Sequence, residues 1–300
     1  MTHRSDDELR AIAHAARRHV IEMSASGGCF AGSALSCVDL IAELYGRTLH
    51  IPRDGAGGAG AARDHFLLSK GHAVPALYAV LARLGWFDAA RLRNHLDVDD
   101  HIYWHPNAEL PGVEFHSGSL GHAPAIAVGL ALAKRSADEA GRVVVLAGDG
   151  ELNEGSVWEA LLVAAAHRLD NLWLIVDRNR IQANLRTEAL VPLEPLSGKL
   201  AAFGCETHTV NGHDFAAMRA LFRHLAPAGR PLAIVANTVR GKGLPSHEDR
   251  ADRWFVRASR AETEDWLREA DAEYGREREA AMAGDAIGAV AAGPGIAVAS

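Results

Sequence analysis

The sequence predicts an α/β fold, a doubly wound and mostly parallel sheet with helices on both faces. Three observations carry this expectation. Residues 143–146, 172–176 and 231–238 are short apolar runs, as expected of strands in a parallel sheet covered by helices. Residues 157–167 and 215–225 read as helices between them, so strands and helices alternate as parallel crossovers require. Of the 300 residues, 48% are hydrophobic, enough for the sizeable core that a layered domain needs.

From the amino end, Ser5-Asp6-Asp7-Glu8 is a capping box. Leu9, Ile12, Ala13, Ala16, Val20 and Met23 follow at helical spacing, so a first helix runs to about Ser24. Residues 26–33 form a glycine-rich loop before a second helix at 37–45. Residues 54–62 are nearly all Gly and Ala and read as a flexible surface loop. An apolar helix spans 75–84, and 97–114 is polar and irregular. Loops of that kind over the carboxyl edge of a parallel sheet commonly carry ligands. A helix at 124–134 precedes the first apolar strand. Beyond the second, 181–200 is a long connection with two prolines, followed by a strand at 205–210. Residues 261–279 are a charged helix, and the Gly/Ala-rich 280–300 reads as disordered or loosely docked. The expected organisation is therefore one domain over 1–260, with 261–300 as a helix and tail.

A net charge of −7 argues for a soluble protein and against nucleic acid or anionic membrane as main partner. Cys29, Cys37 and Cys205 are odd in number and lack zinc-type spacing, as expected of reduced thiols in a cytoplasmic protein. The first residues contain no apolar signal region, and no run reaches membrane-spanning length.

The candidate chemistry centres on residues 141–155. A strand ends in Gly148-Asp149-Gly150, and a helix follows. Glycines on both sides of one carboxylate let the backbone approach whatever that carboxylate holds, and a helix amino terminus favours anions. The next strand runs into Asp177-Arg178-Asn179-Arg180-Ile181. Two parallel strands joined by a helix end at the same sheet edge, so Asp149 and Asn179 are expected to face one crevice. Their carboxylate and amide oxygens, with a backbone carbonyl, are hard ligands suited to Mg²⁺ gripping a diphosphate.

Gly148-Asp149-Gly150, followed thirty residues later by Asn179, resembles the thiamine diphosphate motif. The surrounding Gly-Asp-Gly-Glu-x-x-Glu-Gly and Asp-x-Asn-x-Ile are similar to transketolases, especially the N-terminal half of split, two-subunit transketolases, over most of 5–260. The resemblance implies a thiamine diphosphate-binding fold. It implies Asp149, Asn179 and the Ile181 carbonyl as Mg²⁺ ligands, with Gly148 and Gly150 near the diphosphate. Glu154 matches the family's buried glutamate near the dimer interface. Ser69-Lys70-Gly71-His72 matches a segment whose histidine approaches the cofactor, and His105-Pro106 matches the substrate-loop His-Pro. Gly118 and Leu120 fall in the segment that contacts cofactor through backbone. Val239-Arg240-Gly241-Lys242-Gly243 resembles the family's Lys-Gly-Lys-Gly turn, either a loop near phosphate or a plain turn. A generic doubly wound domain binding another phosphate is the bland alternative.

Three positions depart from the family pattern. Phe30 and Phe255 stand where transketolases carry active-site histidines, and His116 replaces a small or hydroxyl residue. Phe30 either lines the pocket or packs as core, and His116 either alters the pocket or fills a gap. A phenyl ring offers a substrate hydroxyl no hydrogen bond, so the substitutions point to a less hydroxylated donor.

The glutamate that activates thiamine diphosphate comes, in this superfamily, from a separate pyrimidine-binding domain, for which 300 residues leave no room. Glu151 and Glu154 lie beside the diphosphate turn, at the wrong end of the cofactor. The resemblance thus implies one catalytic half that works with a C-terminal transketolase-type partner, most simply as an α₂β₂ heterotetramer. The expected reaction moves a two-carbon unit from a ketose to an aldehyde. Decarboxylating acyl transfer from a 2-oxoacid such as pyruvate, or a non-catalytic cofactor scaffold, are the alternatives.

Overall fold

The computed structural model describes residues 4–52 and 62–291. The expected Gly/Ala loop, apart from Ala62, and the last residues of the tail lie outside them. The elements in order are α1 (Asp6–Ala25), α2 (Ala31–Glu43), β1 (His65–Leu68), α3 (Val74–Arg83), α4 (Ala123–Ser136), β2 (Val143–Gly148) and α5 (Gly155–Ala166). They continue as β3 (Leu172–Arg178), β4 (Ile181–Gln182), β5 (Leu185–Arg186), α6 (Thr187–Leu190), α7 (Leu196–Ala202), β6 (Glu206–Asn211), α8 (Phe215–His224), β7 (Leu232–Asn237) and α9 (Arg260–Ala291).

The main sheet has the order β1-β2-β3-β7-β6, and every pair in it is parallel. In register, Gly148 lies beside Asp177 and Asp177 beside Ala236, so the chemistry-bearing strand ends share one edge. Because strand side chains alternate between faces, the sheet feeds two cores. Val144, Leu146, Trp173, Ile175 and Ile234 point into the layer of α1, α2, α3, α8 and α9. Val143, Val145, Leu174, Val176 and Val235 point into the layer of α4, α5 and α7. This is the doubly wound arrangement expected.

The first helix begins as its sequence dictates: Glu8 N donates to Ser5 Oγ at 3.2 Å, and Ser5 N donates back to Glu8 Oε2 at 2.7 Å. Three elements differ from expectation. Helix α2 starts at Ala31, inside the segment read as a glycine-rich loop. Gly32 is needed there for space, since a Cβ would lie 2.9 Å from the Arg253 carbonyl oxygen and 3.0 Å from Arg240 Nε. Strand β1 was not expected, being four residues long and beginning with a histidine. Helix α9 continues to Ala291 instead of ending near 279, because its alanines favour helix more than the scattered glycines oppose it. Its Trp266 and Ala270 are buried in the α1 layer.

Candidate active site

The carboxyl ends of β1, β2, β3 and β7 converge on a set of buried charges. At the centre is Asp177, fully buried at the end of β3. Its Oδ2 accepts from Ser36 Oγ at 2.6 Å, from Asn179 Nδ2 at 3.2 Å, and from Lys70 Nζ in a tight ion pair. Its Oδ1 accepts from the Thr238 hydroxyl. Burial alone raises a carboxyl, but Lys70 and the hydroxyl donors outweigh it and hold Asp177 below the usual range. Lys70 also donates to the Ser33 carbonyl at 3.0 Å, which ties β1 to the start of α2.

Asp149 sits at the Gly-Asp-Gly turn, buried. Its Oδ1 accepts from Gly150 N at 2.8 Å, and its Oδ2 accepts from Arg180 N at 2.6 Å and Arg178 Nη1 at 2.8 Å. Burial nevertheless pushes this carboxyl up, more than Arg178 pulls it down. A further cation would therefore stabilise its ionised form. Asn179 Oδ1 accepts from Ile181 N at 3.1 Å, and the Ile181 carbonyl faces Arg240 Nη1 at 3.4 Å. One turn of chain thus brings the amide oxygen and the carbonyl together.

Arg240 is 2% exposed, and its Nε and Nη2 have no partner among the described residues. Burial lowers this guanidinium to about 10, against the pull of Asp177 and Asp149. Buried, unpaired donors of a cation are costly unless an anion meets them. The donor set therefore fits a diphosphate carrying a divalent cation.

Beside this edge, His72 Nε2 is hydrogen-bonded to Ser33 Oγ at 2.8 Å. Burial, then Lys70 and Arg240, push its imidazole down to about 3, so it is neutral at physiological pH. Gly118 packs against Gly71, and a Cβ on it would come within 2.8 Å of His105 Cδ2. His72, Gly118 and His105 are thus neighbours, with His105 exposed and lowered by partial burial. The His105 carbonyl is held by the Tyr78 hydroxyl at 2.8 Å. Leu120 is half-buried, and its carbonyl contacts His122 Nδ1 at 3.0 Å.

Phe30 is half-buried, not core. It meets His72 edge-on at 5.5 Å between centroids, Phe255 at 5.2 Å and Trp254 at 5.2 Å. Phe255, 41% exposed, meets Trp104 at 6.2 Å. His116 lies farther out, lining an open hollow with Tyr103, Trp104 and Ser117. It is exposed, and its Nδ1 accepts from Ala108 N at 3.4 Å.

Glu154, matched to a buried glutamate, is exposed on this chain, at the start of α5. The buried glutamate of the turn is Glu151. It accepts from Gly121 N at 2.8 Å, Gly148 N at 3.0 Å and the Ser69 hydroxyl, which fixes the approach to Asp149. Lys70, Asp177 and Arg240 were not picked out as site residues by sequence. The only signal was charge at the end of apolar runs, in Asp177-Arg178-Asn179 and in the Val239–Gly243 turn.

Fold and site define a doubly wound domain built to hold a diphosphate at its carboxyl edge. Residues 8–277 match the family model described as the thiamine diphosphate binding domain of transketolase, and the chain belongs to that family. It is 37% identical over 251 residues to one of the separately encoded halves of the apulose-4-phosphate transketolase of Actinobacillus succinogenes, covering 83% of this chain and 90% of that one. It is 34% identical over 251 residues to the 6-deoxy-6-sulfo-D-fructose transketolase subunit SqwG of a Clostridium species, covering 78% and 87%. Among solved structures, the transketolase from Campylobacter jejuni superposes with a TM-score of 0.81 at 27% identity, covering 91% of this chain and 43% of that one. The chain therefore spans most of the length of these separate subunits and less than half of that solved transketolase chain. It is a transketolase-like, thiamine diphosphate-binding transferase subunit.

Proposed function

We propose that this chain is the diphosphate-binding subunit of a cytoplasmic, two-subunit enzyme that moves a two-carbon unit from a ketose to an aldehyde. Its partner is a C-terminal, pyrimidine-domain subunit in an α₂β₂ heterotetramer, with Glu154 available to that interface because it is exposed here. No helix among the described residues is long and apolar enough to cross a membrane. The observation that carries the reading is the convergence of Asp149, Asn179 and the Ile181 carbonyl beside the buried, unpaired guanidinium nitrogens of Arg240.

In this reading Asp149, Asn179 and the Ile181 carbonyl hold Mg²⁺. Gly148 and Gly150 give the diphosphate backbone access, and Arg240 neutralises it. Bound thiamine diphosphate supplies a carbon nucleophile that adds to the donor carbonyl. Gly118 and Leu120 contact the cofactor through backbone. His72, neutral and hydrogen-bonded to Ser33, and the exposed His105 bind substrate hydroxyls and move protons at them. Glu154 keeps its role across the subunit interface.

A second reading, acyl transfer from a 2-oxoacid such as pyruvate, is favoured by one feature. The rings of Phe30, Trp254, Phe255 and Trp104 form an apolar wall next to His72. Relatives named for apulose-4-phosphate and 6-deoxy-6-sulfo-D-fructose support the ketose as first choice. The test is cofactor affinity. Asp149→Ala, with fold intact by circular dichroism, is expected to abolish Mg²⁺-dependent thiamine diphosphate binding, and Asn179→Ala to come close to that. Unchanged affinity in either variant overturns the assignment.

A further inference from the structure

On the outer side of the Val239–Gly243 turn lies a charged cluster that the proposed chemistry does not use. Asp39, on α2, is buried. Its Oδ2 accepts from Arg17 Nη2 at 2.5 Å and from His213 Nδ1 at 2.7 Å. Burial would raise this carboxyl, but Arg17 and His213 outweigh it and hold it at about 2, so it is ionised. Each of its two partners then reaches the turn with its other end. Arg17 Nε donates to the Lys242 carbonyl at 3.0 Å, and Val239 N donates to His213 Nε2 at 2.8 Å. Because Nε2 accepts from an amide, the ring proton must sit on Nδ1, facing Asp39.

One carboxylate therefore grips the turn on both sides of Arg240. Gly241, between the two grips, donates its N–H to the Gly32 carbonyl at 2.9 Å. Its φ is +77°, and a Cβ there would lie 2.4 Å from the His247 carbonyl oxygen. With the backbone fixed at these points, the Arg240 side chain has one way to go, toward the Ile181 carbonyl and the candidate diphosphate edge. The cluster itself faces a solvent-open hollow lined by Arg10, Asn211 and Glu277, away from that edge.

We propose that Asp39, Arg17 and His213 are positioning residues, a relay that aims the Arg240 guanidinium at the diphosphate. This rests on the reading of Arg240 as a diphosphate contact. None of the three touches cofactor or substrate. Their effect on affinity passes through Arg240, which separates this role from a merely structural one.

The probe is inorganic diphosphate with Mg²⁺, titrated calorimetrically into the full chain. Arg240→Ala is expected to weaken binding about tenfold or more, the loss of a charged hydrogen-bond donor. His213→Ala is expected to weaken it about fivefold, within the coupling range of one hydrogen-bond network. His213→Gln, whose amide oxygen can accept from Val239 N, should restore most of the loss. Decisively, Arg240→Ala combined with His213→Ala should bind no worse than Arg240→Ala alone. Equal losses from His213→Ala in both backgrounds overturn the relay, as does unchanged affinity in His213→Ala, and both leave the site reading standing. Unchanged affinity in Arg240→Ala overturns the site reading and the relay together. If His213→Ala does not fold, Asp39→Asn enters the same cycle with the same expected outcomes.

Discussion

Lys70→Met tests whether the buried pair is the keystone of the site edge. The substitution keeps most of the stem volume and removes the one cation bonded to Asp177 among the described residues. Breaking a buried pair by removing one member costs about 3–5 kcal/mol, because a charge is left uncompensated. Ser36, Thr238 and Asn179 still donate to the carboxylate, so the low end, about 3 kcal/mol, is expected at pH 7. The loss should also depend on pH. In the wild type the Asp177 carboxyl is depressed, so its contribution is present above the unfolded value, near 3.9, and fades as pH falls toward the folded one. In the variant, burial is no longer outweighed by Lys70, so the carboxyl rises and its penalty grows as pH climbs above that same unfolded value. Both effects shrink the deficit on acidification. Urea denaturation at pH 7 and pH 4.5 measures it. Adding Asp177→Asn should recover part of the loss at pH 7. A deficit below about 1 kcal/mol, or one equal at both pH values, would refute the argument.

Two further outcomes follow from the proposed site. The rigorously purified chain alone is expected to fold and to show no carbon–carbon bond cleavage with xylulose 5-phosphate or pyruvate. Turnover by it would assign the activating carboxylate to this chain. Once the pyrimidine-domain partner is present, Phe30→His combined with Phe255→His should shift competition between those two donors toward the sugar phosphate, since the pocket gains donors for hydroxyls, each worth about 1–3 kcal/mol when buried. A wild type that already prefers the sugar phosphate, with no change in the variant, would make both rings packing residues.

The βαβ unit at 143–178 was legible because its signals are local: an apolar run, a Gly-Asp-Gly stop, a helix, a second run. Asn179 followed from strand geometry. Lys70 and Asp177 were not legible as a pair, since they stand 107 residues apart and meet only because β1 and β3 flank β2. Nothing near either residue in sequence announces the other. The same holds for Phe30 and Phe255, read separately as departures from a pattern and found in contact. Arg240 carried a weak signal, a cation among glycines. What sequence lacked was its burial, which leaves two nitrogens of an ordinary basic residue unpaired. Strand β1 escaped because four residues beginning with His65 carry too little pattern to outweigh the loop before them.

The strand order has a consequence for how the chain is made. Strand β6 is synthesised before β7, yet β7 is its only neighbour in the sheet among the described residues. Until residues 232–237 leave the ribosome, β6 has no edge to pair with, and the far side of β3 stays open. Completion of β7 closes both gaps at once and delivers Thr238 and Arg240 to the site immediately afterwards. A nascent chain stopped at about residue 230 would therefore carry Asp149, Asp177 and Asn179 but two unsatisfied strand edges, a species expected to be retained by chaperones or lost to aggregation. The cofactor site and the closed sheet arrive in the same step of synthesis.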